Sequence, residues 1–277
     1  MVLPTIRDAV LGDCPLTPLC GLFAGQPEHV RLRHIVMSHA DVMYPSVTYT
    51  RREHCLSVMH LARRWAMRLT TDSRLVDLIA LAGLYHDVGH VTTSHALDDY
   101  LSSCGVVDHE TRSVHTLKAV NARIVCLSDV EERFVAHAIT GTVGHEFPLW
   151  AYRVVHQTNR RLPDVDRITY LINDARRLGF PCLFDPVRIE NNISVVDGDL
   201  HFATPCHTDL DQIITMRRIH FETVFQHPVV VEYQQRLVRT FLERFGKDRL
   251  LSMFESEAWL NLTDVMLWGQ IPEHLFV

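Results

Sequence analysis

Apolar positions recur with a helical period along most of this chain. From residue 52 to 70, Leu56, Met59, Ala62, Trp65, Ala66 and Leu69 fall on one stripe, which predicts an amphipathic helix. The polar run Thr70-Thr71-Asp72-Ser73 ends it and offers Asp72 or Ser73 as the cap of a second helix over 74–87. That second segment is apolar nearly all round, so it is expected to be central and buried. The same period predicts helices near 94–103, 109–126, 128–139, 147–158 and 164–178, then 209–225 and 228–245. One stretch departs from it: alternating residues from Val187 onward, on either side of Asp197-Gly198, predict two short strands and a tight turn. The pattern therefore predicts a mainly all-α fold with one small β-hairpin near 187–203. It divides into a first unit over 1–205 and a C-terminal helical subregion over 206–277 packed on the same domain.

Composition narrows the class. The 277 residues are 47% hydrophobic and 22% charged, ordinary for a soluble globular protein. No uninterrupted apolar run reaches the roughly 18–20 residues of a membrane span, and Met1 to Arg7 lacks the pattern of a secretory signal. Seven dispersed cysteines without a CxxC pair read as reduced thiols, so an intracellular, cytoplasmic location is expected, with the nucleus left open. A formal charge of -6 argues against a nucleic-acid coat. Only Lys118 and Lys247 among the 27 basic residues are lysines, which fits a GC-rich coding sequence.

The chemistry concentrates in His86-Asp87-Val88-Gly89-His90. An adjacent His-Asp pair at the end of an apolar helix is costly to bury unless something binds it. A divalent metal would, and His54 upstream with Asp166 downstream would complete two imidazoles and two carboxylates. Arg51 lies three residues before His54 on the same helical face, within reach of a phosphate at such an ion. Gly89 lets the chain turn away without crowding the site. Asp166, Tyr170 and Asp174 recur at spacing four on one helical face, the last two projecting along a groove toward a sugar or base. A further polar group follows the central motif: His90, His95, Asp98, His109 and Glu110. Pairing of His95 with Asp98 or Glu110 would favour a protonated imidazole beside a leaving oxygen. His60, His115, His137, His145 and His156 are read as surface or core histidines.

These residues resemble the HD-domain metal-dependent phosphohydrolases, and more narrowly the deoxynucleoside triphosphate triphosphohydrolases, the group of the SAM-and-HD-domain dNTPase and the bacterial dGTPases. RLRHI at 31–35 is similar to the family's RLR-aromatic-I stretch, and RREHCLSVMHLA to its RFEHSLGV-type helix. HDVGHVTTSH at 86–95 resembles HDxGHxPxSH, with Asp98 where that motif carries an Asp. HETRS at 109–113 resembles its HE segment, and DRITYLINDARRLG at 166–179 its D[KR]xDYxxRDxxxLG helix.

The resemblance implies an HD-type helical bundle with metal ligation by His54, His86, Asp87 and Asp166. It implies catalytic or phosphate-positioning roles for His90, His95, Asp98, His109 and Glu110. Phosphate contacts would come from Arg51, Arg167 and Arg217, and sugar contacts from Tyr170 and Asp174. The implied reaction is hydrolysis of a dNTP to deoxynucleoside and triphosphate by metal-hydroxide attack at the α-phosphorus. The ion would be Fe, Mn or Mg, with a second Mg arriving with the nucleotide. The chain departs from the pattern at Met37 or Ser38, where members present a polar residue to the sugar. Phe221 and Phe225 likewise stand where members carry polar or hydroxylated side chains, which weakens strict deoxyribose discrimination. Gly25 replaces an acidic residue of the activator-nucleotide site, pointing away from nucleotide-driven tetramers and toward a simpler homodimer. Two alternatives stay open: a nucleoside monophosphate phosphatase or cyclic-nucleotide phosphodiesterase using the same site, and a nucleotide sensor or scaffold without turnover.

Overall fold

The two central helices form as Arg51–Leu69 and Ser73–Tyr85 in the computed structural model, which describes residues 4–159 and 161–270. Each starts on a side chain that satisfies free backbone N–H groups. The Thr50 hydroxyl accepts from the Glu53 amide while Glu53 reaches back to Thr50, a capping box, and the Asp72 carboxylate accepts from Arg74 and Leu75. The helices touch closely because Gly83 carries no side chain. A Cβ there would stand 3.1 Å from the Met59 nitrogen and 3.2 Å from its Cα. This close approach brings the end of the second helix, where His86 follows, against the first, which carries His54.

The remaining helices wrap this pair. Asp129–Thr140 packs on Ser73–Tyr85, His109–Ile124 on Asp129–Thr140, and Val165–Leu178 on Arg51–Leu69. Most of the buried apolar residues join one core that includes Trp65, Tyr85, Phe134 and Tyr152. A second cluster gathers Val91, Leu97 and Leu101 with Leu237, Phe241, Phe245, Trp259 and Leu262. The C-terminal helices Pro228–Phe245 and Lys247–Phe254 thus share a core with His95–Ser103, the helix that follows the HD motif.

Three expectations change. Residues 147–158 hold only the short helix Leu149–Tyr152, and the chain then loops to Asp164, which caps Val165–Leu178. Residues 187–191, expected as strand, belong to the helix Pro186–Asn191: Asp185 accepts from the Val187 amide and Pro186 takes the first turn, where its missing N–H costs nothing. The hairpin is therefore confined to Ile193–Val196 and Asp199–Phe202, turning at Asp197 and Gly198, both with positive φ. A second, unexpected hairpin pairs Thr5–Asp8 with Gly12–Pro15. The helix expected over 209–225 runs as His207–His220 and ends in a π-helical turn, Phe221–Phe225.

The Asp129–Thr140 helix offers a direct test of its cap. Ser128 and Glu131 form a second capping box, and Arg74 donates to Glu131 at 2.6 Å, holding its carboxyl down to about 2. A depressed carboxylate pKa stabilises the fold above its ordinary value and loses that contribution as the pH falls through the depressed one. Glu131→Gln is expected to cost about 1 kcal/mol at pH 7, roughly 2–4 °C in Tm. That difference should narrow as thermal melts are repeated from about pH 5 downward. A constant difference at every pH would refute the ion-pair account.

Candidate metal centre and active-site cavity

The pair of central helices positions the first candidate ligands. The imidazole Nε2 atoms of His54 and His86 face each other at 3.2 Å, with the rings inclined at 71°. The Asp166 Oδ1 atom, from the start of Val165–Leu178, lies 2.9 Å from His54 Nε2 and 3.5 Å from His86 Nε2. Asp87 Oδ1 lies 3.5 Å from His86 Nε2, and Asp87 Oδ2 lies 3.8 Å from His54 Nε2. Two donors that bind one ion at about 2.1 Å stand roughly 3.0–3.4 Å apart, so this spacing fits a shared cation. The tautomer fits too. His86 Nδ1 lies 2.8 Å from the Gly83 carbonyl, which can only accept, so the proton sits on Nδ1 and Nε2 is the atom left to bind.

The electrostatics favour positive charge here. Burial works against it, yet Asp87 and Asp166 raise His86 to about 9. Burial also opposes ionisation of Asp87, but His86 and Arg51 hold its carboxyl well below the usual range. The Arg51 guanidinium is buried and ion-paired with Asp87, and its Nε donates to the Ser94 hydroxyl at 3.1 Å. Part of the charge assigned from sequence to phosphate is thus already shared with a carboxylate.

A second polar cluster stands behind the first. His90 is fully buried and bridges the two, with Nε2 at 3.5 Å from Asp87 and Nδ1 at 3.3 Å from Asp98. His109 Nδ1 approaches the same Asp98 oxygen at 3.4 Å, and Arg112 takes the other oxygen. The partners differ from those expected, because His109 and Arg112 project from one helix toward Asp98. Glu110 of the same helix instead faces His156, at 3.6 Å. His95 packs edge-on against His90 and His109. These groups lie near enough to hold an ion, but His90 and His109 stack at 4.0 Å and 19°. Their ring lone pairs therefore lie in nearly parallel planes and converge poorly on one ion about 2.0–2.1 Å away. Hydrogen-bonding and proton chemistry suit this cluster better.

A cavity of about 560 Å³ opens onto both clusters, a volume suited to a small organic ligand. His54, Asp87 and Asp166 form part of its wall, with Arg51, His95, His109 and Glu110 beside them. Arg167, Tyr170, Asp174 and Arg217 line the rest of its polar surface, while His86, His90 and Asp98 lie behind the wall. The crowding of the cavity wall, with Arg51 and His109 adding to it, lowers the pKa of His95, although its ring is open to the cavity. Arg217 Nε donates to the Tyr170 hydroxyl at 3.2 Å and its guanidinium lies 5.3 Å from the Phe221 ring centre. Met37, Ser38, Phe221 and Phe225 also line the cavity.

Several participants carried no sequence signal. The Tyr49 hydroxyl donates to Asp174 at 2.7 Å, while burial pushes that carboxyl up to about 7. Arg112 reaches Asp98, the Gly89 carbonyl and the Val107 carbonyl from inside HETRS, a segment singled out for His109 and Glu110. Buried His220 lines the cavity on Phe180, where an isolated histidine reads as core.

Comparison with known proteins agrees with this arrangement. Residues 51–171 match the HD domain. The chain is 23% identical over 276 residues to the deoxynucleoside triphosphate triphosphohydrolase SAMHD1 homolog of Dictyostelium discoideum, covering 95% of this chain and 54% of that protein. It is 25% identical over 250 residues to an HD domain-containing protein of Acanthamoeba polyphaga mimivirus, covering 80% of this chain and 53% of the relative. Human SAMHD1, a deoxynucleoside triphosphate triphosphohydrolase, is 25% identical over 245 residues, covering 76% of this chain and 38% of its own length. The chain thus spans about half the length of the first two relatives. Among the described residues no helix is long and apolar enough to cross a membrane.

Proposed function

We propose, on the premise that residues 51–171 form an HD domain, that this chain is a metal-dependent phosphohydrolase of nucleotides, with dNTPs as substrates and deoxynucleoside and triphosphate as products. The observation that supports it is the convergence of His54, His86, Asp87 and Asp166 at the wall of an arginine-lined cavity. A divalent ion held by those four residues would supply Lewis-acid charge to a phosphoryl oxygen and a lowered pKa to water.

The chain's own groups account for the rest. Arg167 and Arg217 line the same cavity as Arg51, so a polyphosphate within it meets several guanidinium groups. Tyr170 accepts from Arg217 and keeps its guanidinium turned along the wall. Tyr49 occupies one Asp174 oxygen and leaves the other to meet a sugar hydroxyl. Bound phosphate beside His95 favours the charged imidazole that crowding and Arg51 otherwise suppress. The ring then gives its proton to the departing 5′-oxygen as water attacks the α-phosphorus and the P–O5′ bond breaks. His90, His109 and Asp98 brace that ring from behind.

The apolar Met37, Phe221 and Phe225 leave few groups to test the sugar's 2′-position. Elemental analysis of purified protein, followed by chromatography of products from each dNTP, NTP, monophosphate and cyclic nucleotide, checks the reading. About one equivalent of divalent metal and intact triphosphate are expected, with NTPs hydrolysed within roughly tenfold of dNTPs. Inorganic phosphate from monophosphates alone would select the phosphatase instead. Opening of cyclic nucleotides would select the phosphodiesterase, and tight binding without turnover the sensor.

A further inference from the structure

The loop between the metal-binding pair and His95 is strained. Thr93 has φ +56° and Ser94 φ +48°, left-handed values that non-glycine residues hold only when their surroundings dictate them. What dictates them comes mostly from the far end of the chain. Asp264, fully buried, accepts from the Thr92 hydroxyl at 2.8 Å and the Thr93 amide at 3.1 Å, and from the Val36 amide at 2.7 Å. The Leu262 carbonyl accepts from the Thr92 amide at 3.1 Å. Thr92 stands where the HDxGHxPxSH pattern has proline, which would supply neither the amide nor the hydroxyl donor.

Arg31 ties the same two segments together. It donates to the Leu260 carbonyl at 2.5 Å and to the His90 carbonyl at 2.7 Å, with its guanidinium 5.5 Å from the Trp259 ring centre. Ser94 completes the clamp, donating to the Val36 carbonyl and accepting from Arg51. Ser94 is the residue from which the helix His95–Ser103 starts, so the loop sets where both His95 and Asp98 stand.

We propose that Asp264, with the Leu262 carbonyl, is the positioning device that holds Thr92–Ser94 in the conformation presenting His95 to the cavity. The segment 257–264, beyond the matched HD residues, is on this account part of the active site, a role resting on the hydrolytic reading above. It replaces the stiffness a proline would give the loop with hydrogen bonds from outside it.

The test uses the full chain with Asp264→Ala, which removes the acceptor of both the Thr92 hydroxyl and the Thr93 amide, and Thr92→Val, which removes the hydroxyl donor while nearly preserving volume. Amide hydrogen exchange at 92–96 should accelerate at least about tenfold in both, with 75–85 unchanged. Bound metal should stay at the wild-type level, and kcat should fall at least about tenfold with KM within about threefold. Exchange at 92–96 within twofold of wild type in both variants would overturn the proposal. So would faster exchange with kcat intact, or metal loss that accounts for the lost rate. If the wild type hydrolyses no nucleotide, the proposed activity fails, and the exchange measurement alone decides the clamp.

Discussion

Asp87→Ala is expected to strip the protein of its divalent metal, abolish hydrolysis and lower unfolding stability by about 3–5 kcal/mol. Three roles meet on this side chain. It faces His86 and His54 with different oxygens, meets His90 behind them, and neutralises Arg51. Because Arg51 and Asp87 are both buried, removing the carboxylate leaves a guanidinium with Ser94 as its remaining hydrogen-bond partner there. Asp87→Asn separates the roles. It keeps an oxygen for Arg51, so its stability loss should be clearly smaller, while metal loss and inactivity should match alanine. Urea titration with elemental analysis of both variants checks this. An alanine variant that retains a full equivalent of metal would contradict the assigned ligand set.

Gly89→Ala should be the most damaging glycine-to-alanine change among the described glycines. The added Cβ would lie 2.2 Å from the His109 carbonyl oxygen, 2.6 Å from the Ser113 nitrogen and 2.9 Å from Arg112 Cβ. Two of those neighbours are backbone of the helix His109–Ile124, which cannot step aside as a flexible side-chain end can. Relief requires the helix to move away, breaking the 2.8 Å bond from the Gly89 amide to the Ser113 hydroxyl and the 2.9 Å bond from Arg112 to the Gly89 carbonyl. Arg112 then loses its purchase on Asp98. Overpacking against side chains costs about 1–3 kcal/mol; against backbone on this scale, at least about 3 is expected, or roughly 6–12 °C in Tm. A variant melting with the wild type would show that the approach is looser than described.

Gly89 also shows how the sequence can locate a residue yet mistake its reason. The motif pointed to a turn, whereas the requirement is space for a neighbouring helix. Long helices were legible because their periodicity spans several turns, and the cap at Asp72 follows from local chemistry. Pro186–Asn191 was misread since Val187 and Ile189 alternate like strand residues, although Asp185-Pro186 is a helix-start signal. The four proposed ligands stood out because a buried His-Asp pair demands a partner. Their neighbours did not: nothing near Asp98 says that Arg112 will take one oxygen, and nothing near Thr92 points to Asp264. Such partnerships are made by packing between distant segments, and a local pattern does not encode them.

The reach from Thr92 to Asp264 spans 172 residues. At typical synthesis rates that interval lasts roughly ten to thirty seconds. During it the nascent chain can already contain both central helices and every proposed metal ligand. The Thr92 and Thr93 donors of the left-handed turn before His95, however, have no acceptor until residues 262–264 clear the ribosome, and closing so long a loop is entropically slow. On the proposed function the order of synthesis therefore delays competence: a growing chain would gather an ion well before it could act on nucleotides around it.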